Sequence, residues 1–256
     1  MHKVSNEKVS GFEIFRLKEV ESTNSYVRAC LDKMEGLNHR TIVIADKQTA
    51  GKGMGSNTWY SEAGKNLNLS IYLKPESLSP EKQFILNKAM ALAVFDFVEA
   101  TLPHRKVRIK WPNDIYVGDE KTAGILISNT IKGSNLEDVI VGIGININQE
   151  KFPGDIPNPA SLSMFLGSKL DLNKCVKSLC RLLNHRYEQI ISAKFHNISD
   201  EYNSKLYRLN EMHGFKKEGV SFLAEIKGVS GFGQLQLKTS DGENLLFGFK
   251  EVEYII

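Results

Sequence analysis

Long apolar runs are missing from this chain. No stretch approaches the roughly 20 consecutive apolar residues that a helix needs to cross a bilayer, and the opening MHKVSNEKVSG has no apolar core of the secretory kind. The expectation is a cytoplasmic protein with no membrane partner. Cysteine is scarce as well. Cys30, Cys175 and Cys180 are odd in number and lack short paired spacing, which argues against a disulfide framework or a zinc site. Buried thiols in a reducing compartment fit that pattern. His2, His39, His104, His185, His196 and His213 are scattered, none paired with another at a metal-ligand spacing. No metal cage and no catalytic histidine is therefore expected. An excess of one charge is missing too. The 33 basic residues against 30 acidic ones leave +3, too weak a field to imply nucleic-acid binding by itself.

What is present fits one large domain, or one plus a small appendage, in 256 residues. Residues 1–11 read as a polar tail and Phe12–Leu17 as a short strand. Ser22 opens a helix, spaced by Val27, Leu31 and Met34, that runs to about Met34. Strands follow at Thr41–Ala45 and at Asn66–Leu73, where NLNLSIYL alternates with period two. Between them lies DKQTAGKGMGSNTWYS. Its Gly51, Gly53 and Gly55 suit close backbone approach to phosphates, although it is neither a Walker loop nor a Rossmann turn, and a plain hairpin explains it as well. Ser79-Pro80 starts a long helix to about Leu102 whose middle, AMALAVF, is apolar nearly all round and belongs in the core.

The stretch from Arg108 to Asn148 organises the rest. Strand-like runs at Asp114–Val117, Thr122–Ser128 and Asp138–Ile147 carry Lys110 and Lys121 together with glycine interruptions at Gly124, Gly142 and Gly144. Taken singly, Lys110 is a solvated lysine and Asp114, beside Asn113, a turn-former. Taken together, lysines and bare backbone around one hollow suit a small anionic ligand. Further on, Ala160–Phe165 reads as a short helix, Asn173 caps another that ends near Phe195, and Ser199–Leu209 makes a third. From Asn210 the pattern changes to short strands parted by Gly231-Phe232-Gly233 and Asp241-Gly242, the mark of a small antiparallel barrel or sandwich.

In order along the chain, ESTN (Glu21–Asn24), QTAGKGMGSNTW (Gln48–Trp59), KWPND (Lys110–Asp114), KTAGIL (Lys121–Leu126) and GIGIN (Gly142–Asn146) resemble the biotin–protein ligases, which attach biotin to carrier domains of carboxylases. The match covers nearly the whole chain, and KWPND followed by KTAGIL is its specific part. The resemblance implies an α+β fold: a mixed central sheet with flanking helices, related to class II synthetases and lipoate ligases, over residues 1–209. A small SH3-like β-barrel would follow over 210–256. It implies ATP and biotin as substrates, Mg²⁺ as cofactor, and a biotin carboxyl-carrier domain as partner. A homodimer formed by sheets pairing side by side is also within the family pattern.

The site residues follow from the same resemblance. Biotin would be held by Ser22, Thr23, Asn24, Gln48, Gly51 and Lys52, with Gly124, Gly142 and Gly144 letting it lie against backbone. Gly53, Met54, Gly55, Asn57, Trp59, Lys110, Asn113 and Asn146 would meet ATP or the adenylate, Trp59 packing on adenine. Lys121 would contact both the biotin carboxylate and the α-phosphate, and Asp114 would orient or deprotonate the acceptor amine.

Two departures stand out. Where the family loop has arginine, this chain has Met54, which cannot pair with an anion. Looser retention of the adenylate is expected, unless Lys52, Arg105 or Lys106 substitutes. Only about eleven polar residues precede the first strand, so no DNA binding is expected. The alternatives are a lipoate or octanoate ligase of the same superfamily, and a non-catalytic biotin-binding regulator.

Overall fold

The structure is a computed structural model that describes residues 3–33, 36–75, 78–133 and 135–255. Its centre is an eight-stranded mixed sheet in the order β1-β2-β3-β4-β8-β7-β6-β5. Strand β1 (Lys3–Val9) pairs antiparallel with β2 (Phe12–Val20) across a turn at Ser10 and Gly11, both at positive φ. The expected polar tail is thus an edge strand. An edge strand needs backbone partners more than apolar side chains, and the Ser-Gly pair was its available signal.

From β2 the chain crosses through helix α1 (Thr23–Asp32) to the parallel strand β3 (Thr41–Gln48). Ser22 stands at the N-cap of α1 but makes no side-chain capping bond. The expected helix end at Met34 lies outside the described residues. Strands β4 (Leu67–Leu73), β5 (Val107–Lys110), β6 (Asp114–Val117), β7 (Glu120–Lys132) and β8 (Asn135–Ile145) complete the sheet, all antiparallel to their neighbours.

A single 3₁₀ turn (Pro80–Lys82) leads into α2 (Gln83–Thr101), in which every residue from Lys88 to Phe95 is buried. As its all-round apolar sequence requires, α2 is a core helix, packed between the sheet and α4 (Leu172–Ile191). Two boundaries differ from expectation. Asp171, not Asn173, caps α4, its carboxylate accepting from the N–H groups of Asn173 and Lys174. The chain then turns at Ala193, at φ +55°, so α5 (Phe195–Ser204) begins where α4 was expected to end. Helix α3 (Leu162–Leu166) closes on Gly167 in the left-handed conformation.

The last segment forms an antiparallel sheet from β9 (Met212–Lys217), β10 (Val220–Val229), β11 (Leu235–Thr239), β12 (Asn244–Phe247) and β13 (Glu253–Tyr254). Its order, β12-β11-β10-β9-β13, is open and not a closed barrel. The chain between β12 and β13 packs elsewhere: Phe249 sits against Trp111 and Phe84, with ring centres 5.5 and 5.9 Å apart. Trp111 also donates its indole N–H to the Gly233 carbonyl. One continuous apolar cluster runs from α2 into Phe215, Ile226 and Leu237, so the two sheets share a core.

Candidate active site

Period-two alternation decides what β8 shows to each face. Val141, Ile143 and Ile145 join the core beneath α2, which leaves Gly142 and Gly144 on the opposite face. That face floors a cleft of about 970 Å³. Every residue assigned to biotin, ATP or catalysis from the sequence lines it except Gly51 and Gly55, which belong to the loop above.

At one end is a polar socket. The Thr23 N–H and hydroxyl both donate to Gln48 Oε1, at 2.8 and 3.1 Å. Ser70 Oγ lies 2.7 Å from Thr23 Oγ1 and also bonds to Asn24 Oδ1. Ser70 and its neighbour Asn68 were not expected here. The signal was present in NLNLSIYL: both faces of β4 are buried, so its polar positions must find protein partners, Ser70 in the socket and Asn68 at Trp59 and Ser61.

The glycines require close approach, as read, but protein groups make that approach. A Cβ on Gly144 would stand 2.7 Å from Trp59 Nε1, and one on Gly142 would stand 2.6 Å from Asn24 Nδ2. Above Gly124 the neighbours are Trp59 Cζ3 and Asp114 Oδ1, both at 3.4 Å. Trp59 is pinned there by an N–H bond of 3.0 Å to Asn68 Oδ1. The Trp59 indole thus lies over Gly144 and Gly124, and the Asn24 amide over Gly142.

Lys121 and Asp114 form an ion pair at 2.8 Å, both partly open to the cleft. The backbone of Lys121 is clamped: its N–H donates to the Asn158 carbonyl at 2.7 Å, and its carbonyl accepts from Ala160 at 3.0 Å. Its ammonium also lies 5.9 Å from the centre of the Trp59 ring. Asn113 fixes the turn before Asp114 by bonding through its side-chain amide and its carbonyl to Ile125. Lys110 stands over the rings of Tyr254 and Tyr116, at 4.8 and 5.3 Å. Burial lowers its pKa, while the nearby Asp114 pulls it back up. Asn146 donates to the Ala160 carbonyl at 3.2 Å, but its Oδ1 is buried without a partner among the described residues. A buried acceptor left open in a cleft points to a ligand or water donor.

The GKGMG loop is a hairpin. Gly53 N–H bonds to the Asn57 carbonyl, Trp59 N–H to the Gly51 carbonyl, and Lys52 bridges Thr58. The hairpin expected from the sequence is present, and its residues Lys52–Met54 and Ser56–Trp59 line the cleft. The expected substitute cations divide: Lys52 lines the cleft, whereas Arg105 stacks on Phe165 and Lys106 faces Glu211 at 3.8 Å. Two walls were missed. One is the loop with Phe152, Asp155 and Ile156; the other is the end of the chain with Lys250, Glu253 and Tyr254. Neither carries a local motif, since both reach the cleft only through tertiary packing. Among the described residues no cluster of three or more His, Cys, Asp or Glu could cage a metal, and no helix is long and apolar enough to cross a membrane.

Fold and cleft define an α+β protein with a polar cleft on one face of a mixed sheet, beneath a hairpin and beside a smaller sheet. The chain belongs to the biotin/lipoate A/B protein ligase family, whose model matches residues 17–146. It is 32% identical over 205 residues to the bifunctional ligase/repressor BirA of Bacillus subtilis, covering 79% of this chain and 62% of that protein. It thus spans less than two thirds of the length of that relative. The biotin–[acetyl-CoA-carboxylase] ligase of Paracoccus denitrificans is 29% identical over 203 residues, 76% of this chain and 81% of its own. Among solved structures, the biotin protein ligase from Aquifex aeolicus in complex with biotin and ATP superposes with a TM-score of 0.79 at 25% identity, over 94% of this chain and 99% of that one.

Proposed function

We propose that this chain is an ATP-dependent biotin–protein ligase acting on a lysine of a biotin carboxyl-carrier domain. Residues 1–209 would form its catalytic unit, and residues 210–256 an SH3-like unit, a reading supported by their antiparallel strand order. The observation that carries the function is the position of Lys121. It stands 2.8 Å from Asp114, in the same cleft as the Thr23–Gln48–Ser70 socket and the Trp59 platform. The socket has the donors and acceptors for a small polar ring. The indole offers a flat face for a base, and the ammonium in the same cleft, 5.9 Å from the indole ring, suits a carboxylate meeting a phosphate.

The chemistry follows from that placement. The biotin carboxylate attacks the α-phosphorus of ATP, pyrophosphate leaves, and a mixed anhydride forms. Anion attack on anion is opposed by repulsion, which Lys121 offsets where the charge develops. Mg²⁺ would arrive on the nucleotide phosphates, since the described side chains form no cage for it. The neutral acceptor amine then attacks the acyl carbon and AMP leaves. Asp114 orients that amine or accepts its proton.

The decisive experiment incubates the chain with ATP, a biotin carrier domain and either biotin or lipoate, reading pyrophosphate and the carrier's mass. Biotin-dependent release and a biotinyl mass shift are expected. Lipoate-only transfer would favour the lipoate ligase, and biotin binding without pyrophosphate a regulator. Asp114→Asn is expected to form adenylate but transfer it slowly, and normal transfer would remove Asp114 from the second step.

A further inference from the structure

The lid hairpin meets an unexpected neighbour. Lys250, from the segment joining β12 to β13, lines the cleft, and its ammonium lies against Gly55 at the lid's turn, where any Cβ would overlap it. Gly55 itself has φ +67°. Lys250 is held at φ +65°, a left-handed backbone that glycine or asparagine adopts more readily than lysine. The segment is anchored on both sides. Phe249 packs on Trp111 of the KWPND turn, Val252 is buried, and Glu251 accepts the Gly248 N–H at 2.6 Å.

The cations of the cleft differ in what already occupies them. Lys121 is paired with Asp114, and Lys110 stands over two tyrosines. Lys52 and Lys250 form no ion pair within 4 Å among the described residues; Lys52 belongs to the lid hairpin, Lys250 lies against its turn at Gly55, and both line the cleft. The lid's other long side chain in the cleft is Met54, which carries no charge. Two uncompensated ammonium groups at one mouth favour a polyanion.

Resting on the ligase reading above, we propose that Lys250 is a nucleotide-contacting residue: it supplies, from the C-terminal sheet, a cation for the ATP phosphates beneath the lid. The smaller sheet thereby completes the nucleotide site, and Gly55 is glycine because Lys250 passes over it.

The test compares wild type, Lys250→Met, Lys250→Arg and Gly55→Ala in two assays. One is pyrophosphate release with ATP and biotin varied separately; the other is calorimetric titration of ATP alone. Loss of one charge-assisted contact is expected to raise the KM for ATP about tenfold in Lys250→Met. The KM for biotin and the unfolding temperature should hold, Lys250→Arg should recover most of the loss, and Gly55→Ala should mimic Lys250→Met. An unchanged KM and Kd for ATP in Lys250→Met overturns the proposal. So does an equal rise in both KM values with a lowered unfolding temperature, which would mark a structural role. Absence of biotin-dependent pyrophosphate release in the wild type would sink the ligase reading instead, and the ATP titration would still decide on Lys250.

Discussion

Two sets of charges sit on opposite faces of the large sheet, and they are built differently. On the α2 side, Arg186 of α4 is almost wholly buried and saturated. Its Nε donates to Asp96 of α2 at 2.8 Å, and its two terminal nitrogens donate to both oxygens of Glu201 on α5, at 2.6 and 2.7 Å. Burial raises the Asp96 pKa while Arg186 opposes the rise; hydrogen bonding to Arg186 lowers that of Glu201. On the cleft side, Lys121 and Asp114 share a single 2.8 Å contact and remain partly open. A saturated fork fixes helices, whereas a pair with spare donor and acceptor capacity can exchange partners with a substrate.

That contrast is broken most strongly by removing one cation from each set. Arg186→Leu removes three charge-assisted bonds and leaves two half-open carboxylates in the helical layer, and a loss of about 2–3 kcal/mol in unfolding free energy is expected, with little change in KM for any variant that stays folded. Denaturant titration measures it, and a loss below 1 kcal/mol would mean that the fork is not structural. Lys121→Met should do the reverse. The rate of adenylate formation should fall about 10²–10³-fold, while stability shifts by less than about 1 kcal/mol because the pair is solvent-accessible. If both variants lose stability alike, the distinction between the two sets fails.

A smaller effect probes the socket. Ser70 Oγ joins Thr23 and Asn24, so Ser70→Ala leaves acceptors short of a donor in a buried setting. A five- to thirtyfold rise in KM for biotin is expected, on the order of 1–2 kcal/mol, with the KM for ATP held. An equal rise in both would place Ser70 outside the socket.

Ser70 also marks where sequence reading stopped. Elements with strong local patterns were legible: the all-apolar α2, the alternating β4, the Asp241-Gly242 hairpin and the glycine-broken β8. The cleft residues carried by contiguous motifs were legible too, and they converge on one hollow. What escaped has a common cause. Strand β1 is held by edge pairing, Lys250 reaches the lid through Phe249 packing on Trp111, and Trp59 is pinned over Gly144 by Asn68. Each depends on a partner distant in sequence, which local periodicity does not encode.

The smallest predicted effect belongs to a buried charge in neither set. Lys88, inside α2, is 2% exposed, and among the described residues its ammonium reaches only the Val229 carbonyl at 3.3 Å and Ser199 at 3.4 Å, with the rings of Phe84 and Tyr202 beside it. Burial lowers its pKa from 10.5 to about 8, against a weaker opposing pull from Asp200. The folded state therefore holds this proton less tightly than the unfolded chain does. Between pH 8 and 10.5 the unfolded chain binds more protons, so stability rises with pH through that window; below pH 8 the full penalty of burying the ammonium is present. Burial raises the pKa of the Cys175 thiol to about 11 and of the Cys180 thiol to about 12, and both act in the opposite sense above pH 9, so the clean comparison ends there. From pH 7 to 9 the wild type should gain about 1 kcal/mol relative to Lys88→Met, which keeps the apolar stem and removes the titrating group. Parallel denaturation series of the two proteins measure that difference. Identical slopes would mean that the Lys88 ammonium is solvated in the folded state and that this third kind of charge, unsaturated and unused, is not present in α2.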